Sequence, residues 1–182
     1  MIIATGEKLP SIFVASAQGE SLALIASERS NSGSLVLIDS AGVDDRTTRT
    51  ALVRSDAILT LAAPTPIDLW EIDPLLKLVQ NMERVQGRRV PVYLLFNKVP
   101  THVQSRSIEM AINFLNENMI FPTAILSASL KDRMIFKNTI GEGKSVSEYV
   151  PSDRNALNEV EAVADELLIT FQSLQAFHVL LA

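Results

Sequence analysis

Apolar and polar positions along this chain fall into two alternating patterns. Short apolar runs rich in Val, Ile and Leu are separated by longer stretches in which apolar residues recur every three to four positions. The short runs are typical of strands buried on both faces, and the longer stretches are typical of amphipathic helices. The alternation predicts an α/β fold with a doubly wound, mostly parallel sheet of about five strands and helices on both faces.

The pattern also predicts where the elements lie. Strands are expected at residues 11–15, 34–39, 57–62, 91–97 and 122–127. Helices are expected near 20–29, 46–54, 67–86, 104–118, 131–140 and 155–177. The length of 182 residues suits a single domain over 1–182, with an uncommitted N-terminus at 1–9 and a C-terminal tail at 178–182. The apolar end of the chain is expected to pack on the sheet, or else to be a patch for a partner.

Composition excludes several classes of site. The chain has no cysteine, which excludes disulfides, thiolate metal sites and a cysteine nucleophile. His102 and His178 are the only histidines and have no partner at ligand spacing, so neither is expected to bind metal or transfer protons. No segment resembles a signal peptide, and apolar runs are far shorter than the ~20 residues of a membrane helix. We therefore expect a cytoplasmic protein with no membrane association.

Charge is distributed unevenly along the chain. The net charge is −5, but residues 77–154 contain 11 basic and 7 acidic residues, whereas the remainder contains 5 basic and 14 acidic ones. A basic middle could face DNA or an acidic partner, or it could consist of ordinary solvated helix faces.

The strongest chemical signal is an aspartate at the end of a predicted strand. Asp39 ends an apolar run and is followed by Ser-Ala-Gly at 40–42. Such a run delivers a carboxylate to the carboxyl edge of a parallel sheet, where α/β proteins bind ligands and where it could hold a Mg²⁺ shell. The alternative is a structural Asp that caps the turn. A receiver domain would also need an acidic pair on an earlier strand end, and 11–16 has none.

The phosphate loop that should accompany this carboxylate in a nucleotide hydrolase is absent from the sequence. No Gly-x-x-x-x-Gly-Lys-Ser/Thr occurs in the chain. The Gly-Lys-Ser at 143–145 lacks the first glycine, because position 138 is Asn138, and it follows a predicted helix instead of a strand. Gly141 and Gly143 are expected to end that helix instead.

Two strand-end loops carry weaker signals. Asn97 and Lys98 end a predicted strand, and an Asn side chain there could contact a nucleotide base through its donor and its acceptor. The alternative is a turn, which Asn and the nearby Pro100 both favour. The loop at 64–68 opens a predicted helix that Thr65 or Asp68 could cap.

Taken in order, these segments resemble the ParA/MinD superfamily of deviant Walker A partitioning ATPases, especially the small plasmid ParA type. The resemblance covers about residues 10–170 and is carried by Leu-Val-Leu-Ile-Asp-Ser-Ala-Gly at 35–42, Ala-Leu-Val-Arg-Ser-Asp-Ala-Ile-Leu at 51–59, Pro-Thr-Pro-Ile-Asp-Leu-Trp at 64–70, the strand ending at Asn97, Lys-Asp-Arg at 131–133 and Gly-Lys-Ser-Val at 143–146.

The resemblance implies a P-loop NTPase-like domain that binds ATP and Mg²⁺ and dimerises around the nucleotide. By resemblance, Asp39 is the Walker B carboxylate that holds Mg²⁺ through water, Gly42 lies in the switch that senses the γ-phosphate, and Asn97 approaches the base. Arg133 and Lys144 are candidates for a basic surface that binds DNA nonspecifically. Implied partners are a second copy or a ParA-type ATPase, a centromere-binding ParB-type protein, and DNA.

The missing phosphate loop changes these expectations. Phosphoryl transfer depends on positioning and on charge stabilisation, so Asp39 alone is not expected to sustain it. No catalytic residue is expected, and ATP binding itself is doubtful. The chain would be either an N-terminal truncation or a ParA-like protein without hydrolytic machinery. The first strand of such a sheet is usually central, so we also expect instability unless a rearrangement or a dimer covers the exposed edges.

The leading hypothesis is a ParA/MinD-like plasmid or chromosome partitioning protein with ATP hydrolysis lost or impaired. Two alternatives stay open at this point. One is a member of the wider superfamily of ATP-dependent synthetases, such as an amide-forming or biotin-pathway enzyme. The other is a non-enzymatic α/β module that binds a partner.

Overall fold

The computed structural model describes residues 12–40, 46–102, 106–118, 120–149, 153–174 and 178–181. Strands and helices alternate along these segments, which confirms the predicted α/β class with a parallel sheet. The elements in chain order are α1 Glu20–Asn31, β1 Val36–Asp39, α2 Arg46–Arg54, β2 Ala57–Ala62, α3 Pro66–Trp70, α4 Ile72–Gln86, β3 Val92–Val99, α5 Ser107–Glu117, β4 Ala124–Lys131, α6 Met134–Glu142, α7 Arg154–Leu174 and β5 His178–Leu181.

The strands are arranged in the order β1-β5-β2-β3-β4, and each neighbouring pair is parallel. The last strand in the sequence, β5, therefore lies between the first two. Val179 pairs with Leu37 of β1 on one side and with Ala57 of β2 on the other, and it is fully buried. The end of the chain thus joins β1 to the rest of the sheet.

The strands of the sheet are not the five that the sequence predicted. Residues 12–15 of the predicted first strand have no regular secondary structure, and Ser11 lies outside the described residues. The stretch 178–181, predicted as a tail after a helix ending at 177, forms β5. This prediction was wrong because a four-residue apolar run acquires its strand character only from partners far away in the sequence.

Other predicted bounds shift by smaller amounts. The helix predicted at 67–86 is divided at Glu71 into α3 and α4. Lys131, predicted to begin a helix, is the last residue of β4.

The core lies on both faces of the sheet, because alternate strand residues point to opposite sides. On one face, Leu59, Tyr93 and Leu95 pack against Val163 and Phe171 of α7. On the other face, β2 and β3 residues pack against α2, α4 and α5; this set includes Ile58, Val92, Leu94 and Phe96 with Leu52, Val79 and Leu115. Burial on both sides explains why the strands are almost continuously apolar.

Helix ends follow their capping residues. Thr65 caps α3 by accepting a hydrogen bond from the amide of Asp68, as one of the two expected caps. Gly143 ends α6 in the left-handed conformation, with φ of 64°, and Gly87 ends α4 with φ of 66°. Gly141 lies inside α6 and does not end it. Among the helices of the described residues, none combines the length and apolar character needed to cross a bilayer.

Candidate functional site

Asp39 lies where the sequence placed it, at the carboxyl end of a strand. It is the last residue of β1, which forms one edge of the sheet, and its side chain is exposed. The next residue, Ser40, donates hydrogen bonds from both its amide and its hydroxyl to the carbonyl oxygen of Leu181, each at 3.2 Å. The first polar groups after Asp39 therefore hold β5 in place.

Asn97 lies inside β3 and is engaged with its own backbone. Its Oδ1 accepts a hydrogen bond of 2.8 Å from the amide of Lys98. Lys98 has a φ of 53°, in a left-handed region that non-glycine residues rarely adopt. The side chain of Asn97 thus supports a local irregularity between β3 and β4, and β3 continues to Val99 without the expected turn at Asn97. A role of Asn97 toward a nucleotide base stays a prediction.

The register of the sheet keeps Asp39 and Asn97 apart. Asp39 is level with Leu181, Leu181 with Leu59, and Leu59 with Tyr93, so Asn97 is four residues further along its strand. The two positions are three strands apart across the sheet and four residues apart along the strand direction, which gives a separation of roughly 20 Å between their backbones. Asp39 ends β1 as predicted, whereas Asn97 lies two residues before the end of β3, and the described sheet places the two residues far apart.

Gly42, the predicted switch residue, lies outside the described residues, as do its neighbours at 41–45. Nothing in the described structure tests its role, and it stays a prediction.

The two DNA-binding candidates are both engaged in ion pairs. Arg133, immediately before α6, binds Glu159 of α7 through its Nη2 at 2.7 Å, and its Nη1 lies 3.8 Å from Asp153. The hydrogen bond to Glu159 raises the pKa of Arg133 above its usual value, although burial opposes this. Its side chain is only 22% exposed. Arg133 therefore joins α6 to α7.

Lys144, after α6, pairs with Glu142 at 2.8 Å. The hydrogen bond to Glu142 raises the pKa of Lys144, and its ammonium also lies 6.0 Å from the centre of the Tyr149 ring. Both groups stay cationic, but each has a local acidic partner that reduces its attraction for a phosphate backbone.

A polar arrangement that sequence reasoning missed lies at the other edge of the sheet. Between the pairs Leu94–Ile125 and Phe96–Ser129, β3 advances two residues while β4 advances four, so β4 bulges. The carboxylate of Glu166 on α7 accepts hydrogen bonds of 2.8, 3.0 and 2.8 Å within this bulge, from the Ser127 amide, the Ser127 hydroxyl and the Ala128 amide.

A second carboxylate of α7 acts on the same strand two turns away. Glu159 accepts a hydrogen bond of 3.1 Å from the amide of Lys131 and also binds Arg133. These two acids cover amide groups of the edge strand β4, which would otherwise be available for pairing with another strand. The only signal in the sequence is their seven-residue spacing, which places both acids on one helix face.

Among the described residues, the polar groups next to Asp39 are engaged within the sheet. A triphosphate requires a cradle of amide groups with a cation opposite the carboxylate. The amide and hydroxyl of Ser40, next to Asp39, are used by Leu181 instead. Within the described segments, no group of three or more His, Cys, Asp or Glu side chains could hold a metal ion. Asp39 and Asn97 are therefore separate polar groups in this part of the chain.

Comparison with known proteins gives one distant similarity. The chain is 21% identical over 117 residues to the "Maintenance of carboxysome distribution protein A" of Halothiobacillus neapolitanus. The aligned segment covers 64% of this chain and 51% of that protein, so the chain spans about half the length of this relative. No family model matches the chain, and no solved structure matches it. The similarity supports the resemblance to the ParA/MinD superfamily at the level of a distant relationship.

Proposed function

We propose that this chain has a ParA/MinD-like role in positioning a cargo within the cell. The observation that carries the proposal is the similarity to a protein named for maintaining carboxysome distribution, over 64% of this chain. The stretches around Asp39, Asn97 and Arg133 are consistent with the proposal, because in this order they resemble the ParA/MinD superfamily. We also propose that the chain has the doubly wound architecture of that superfamily. Plasmid or chromosome partitioning is the proposed form of the role, in the cytoplasm.

We further propose that the chain as given does not hydrolyse ATP. The support is the absence of a phosphate loop from its sequence, because phosphoryl transfer needs amide groups and a cation around the phosphates. Its activity would then depend on association with other molecules: a second copy or a ParA-type ATPase, a ParB-type protein, or DNA. Titration of the chain with Mg·ATP also tests the alternative of an ATP-dependent synthetase, because a synthetase must bind nucleotide.

Calorimetric titration of the full chain with Mg·ATP tests the nucleotide part of the proposal. We expect no tight binding, and we expect Asp39→Ala to leave the titration unchanged. A micromolar site that is abolished by Asp39→Ala would contradict the proposal, because it would show that Asp39 belongs to a working Mg·ATP site.

Imaging in the native host tests the positioning role. Deletion of the gene should randomise the distribution of one class of cargo, such as a plasmid or the chromosome origin, while cargo copy number is unchanged. Complementation with the chain should restore regular positions. Unchanged distribution of every cargo examined would overturn the proposal.

Gel-shift titration against nonspecific duplex DNA tests the DNA surface. Lys144→Gln should weaken binding if this surface faces DNA, because a phosphate contact is lost. The matched control is Lys77→Gln, which removes another exposed, ion-paired lysine, bound to Asp73 on α4. Equal effects of the two variants would remove Lys144 from the proposed surface.

A further inference from the structure

A groove of about 600 Å³ lies between α1 and α2, and its lining includes neither Asp39 nor Asn97. Three arginines of α2 line it: Arg46, Arg49 and Arg54. Among the described residues that line it, Glu20 of α1 is the one acid. The walls of the groove are therefore strongly basic, although the chain as a whole carries a net charge of −5.

Arg46 lies on the same side of α2 as Arg49, three positions later, and as Arg54, eight positions later. Residues three, four, seven and eight positions apart lie on the same side of a helix, whereas Ala51 and Leu52 face the core and are buried. From Arg46 to Arg54 the helix rises by about 12 Å. Arg46 and Arg54 thus lie on one side of α2 at its two ends, whereas Arg49 and Arg54 diverge by about 140° around the helix.

Two of these arginines are available to a ligand. Arg46 and Arg54 are exposed, and neither forms an ion pair with any residue that the structure describes. By contrast, Arg88 is held by Asp56, and Arg133 by Glu159.

The direction of the two helices adds to the positive potential. α1 leads into β1 through a short turn, and α2 follows β1, so both helices run antiparallel to this strand and begin at the carboxyl edge of the sheet. Both amino-terminal ends, which carry partial positive charge, therefore lie at the same end of the groove. The residue before α1 is Gly19, which has no side chain to cap the first amide groups.

We propose that this groove is a binding site for phosphate esters. Guanidinium groups bind phosphate oxygens in pairs of parallel hydrogen bonds, and they keep their charge at any physiological pH. Because Arg46 and Arg54 are about 12 Å apart along the helix, the groove suits several phosphates better than one. The phosphates belong either to a nucleic-acid strand or to a small phosphorylated ligand. Ala23 and Val53 supply apolar wall beside the arginines, where the organic part of either ligand can lie. The inference is independent of the proposed positioning role.

The test compares two probes, pyrophosphate and a short single-stranded oligonucleotide, by calorimetry at low salt in a buffer free of phosphate. The unmodified chain should bind at least one probe. The double variant Arg46→Gln/Arg54→Gln should bind that probe at least about tenfold more weakly, because charge-assisted hydrogen bonds are lost. For the oligonucleotide, the slope of affinity against salt should also fall by about 1.4, at about 0.7 per phosphate contact.

The control double variant is Arg106→Gln/Arg154→Gln, which makes the same change in net charge at two exposed arginines, one immediately before α5 and one at the start of α7. Its affinity should stay within about twofold of the unmodified chain if the groove, and not overall charge, binds the probe. Thermal unfolding checks that all variants are folded. Binding of the oligonucleotide alone supports a nucleic-acid strand, and binding of pyrophosphate supports a small ligand. Absence of binding to both probes, or equal losses in the two double variants, would overturn the proposal.

Discussion

Glu166 on α7 should contribute measurably to the stability of the sheet. Its carboxylate accepts three hydrogen bonds from Ser127 and Ala128, which lie in the bulge of β4. In Glu166→Gln the NH₂ group of the amide replaces one carboxylate oxygen. This NH₂ group then faces a backbone N–H of Ser127 or Ala128, so at least one hydrogen bond is lost. Hydrogen bonds to charged groups contribute about 1.5–3 kcal/mol each, and partial exposure of Glu166 places the expected loss at about 1–2 kcal/mol.

Urea unfolding followed by far-UV circular dichroism measures this loss as a shift in midpoint at unchanged slope. The matched control is Glu161→Gln, because Glu161 is an exposed acid of the same helix and forms no hydrogen bond with any residue that the structure describes. The control should change the free energy of unfolding by less than about 0.5 kcal/mol. Equal midpoints for the two variants would refute the role assigned to Glu166.

The same contacts predict a dependence on pH. Burial alone would raise the pKa of Glu166, but the hydrogen bonds from Ser127 and Ala128 outweigh it and hold the pKa below the usual 4.5. A lowered folded-state pKa stabilises the protein above the unfolded value, and this stabilisation is lost as pH falls through the folded-state pKa. The difference between the native chain and Glu166→Gln should therefore be constant from neutral pH to 4.5 and shrink below it. A difference that grows on acidification would contradict this account.

Three further changes test other parts of the fold. Val179→Asp should lower the free energy of unfolding in urea by at least about 3 kcal/mol, because it buries an unpaired charge in β5. Leu37→Asp, on the exposed side of β1, should lower it far less. Similar losses in the two variants would argue against a central β5. Thr65→Ala should lower the free energy of unfolding by about 1 kcal/mol through loss of the α3 cap, and Thr65→Ser should restore most of it. Gly87→Ala should cost about 1 kcal/mol in the same measurement, because φ is 66° there and alanine disfavours that conformation; an unchanged or higher midpoint would contradict the left-handed cap.

Local elements were predictable from the sequence because their signals are local. The predicted helix at 46–54 and strand at 57–62 coincide with α2 and β2, since each has a clear apolar period. The break between α3 and α4 was missed: the apolar period continues through Glu71, and Pro74, in the first turn of α4, is tolerated there.

The candidate site was predictable only in its individual residues. Asp39 ends a strand as predicted and Asn97 lies near the end of one, but their separation depends on strand order and register, which no local pattern contains. The spacing of the α2 arginines, three and eight residues from Arg46, was visible in the sequence. That α1 forms the opposite wall of the groove follows only from how the two helices pack.

The sequence by itself determined the α/β class, the lack of cysteine and the lack of a phosphate loop, because each follows from residue types or short-range periods. Tertiary structure decided that β5 lies between β1 and β2, and that the acids Glu159 and Glu166 cover the edge of β4. The physical reason is that strand pairing joins residues as distant as Leu37 and Val179. The free energy of such a pair depends on the surfaces that both strands meet in the folded chain, and not on either segment alone.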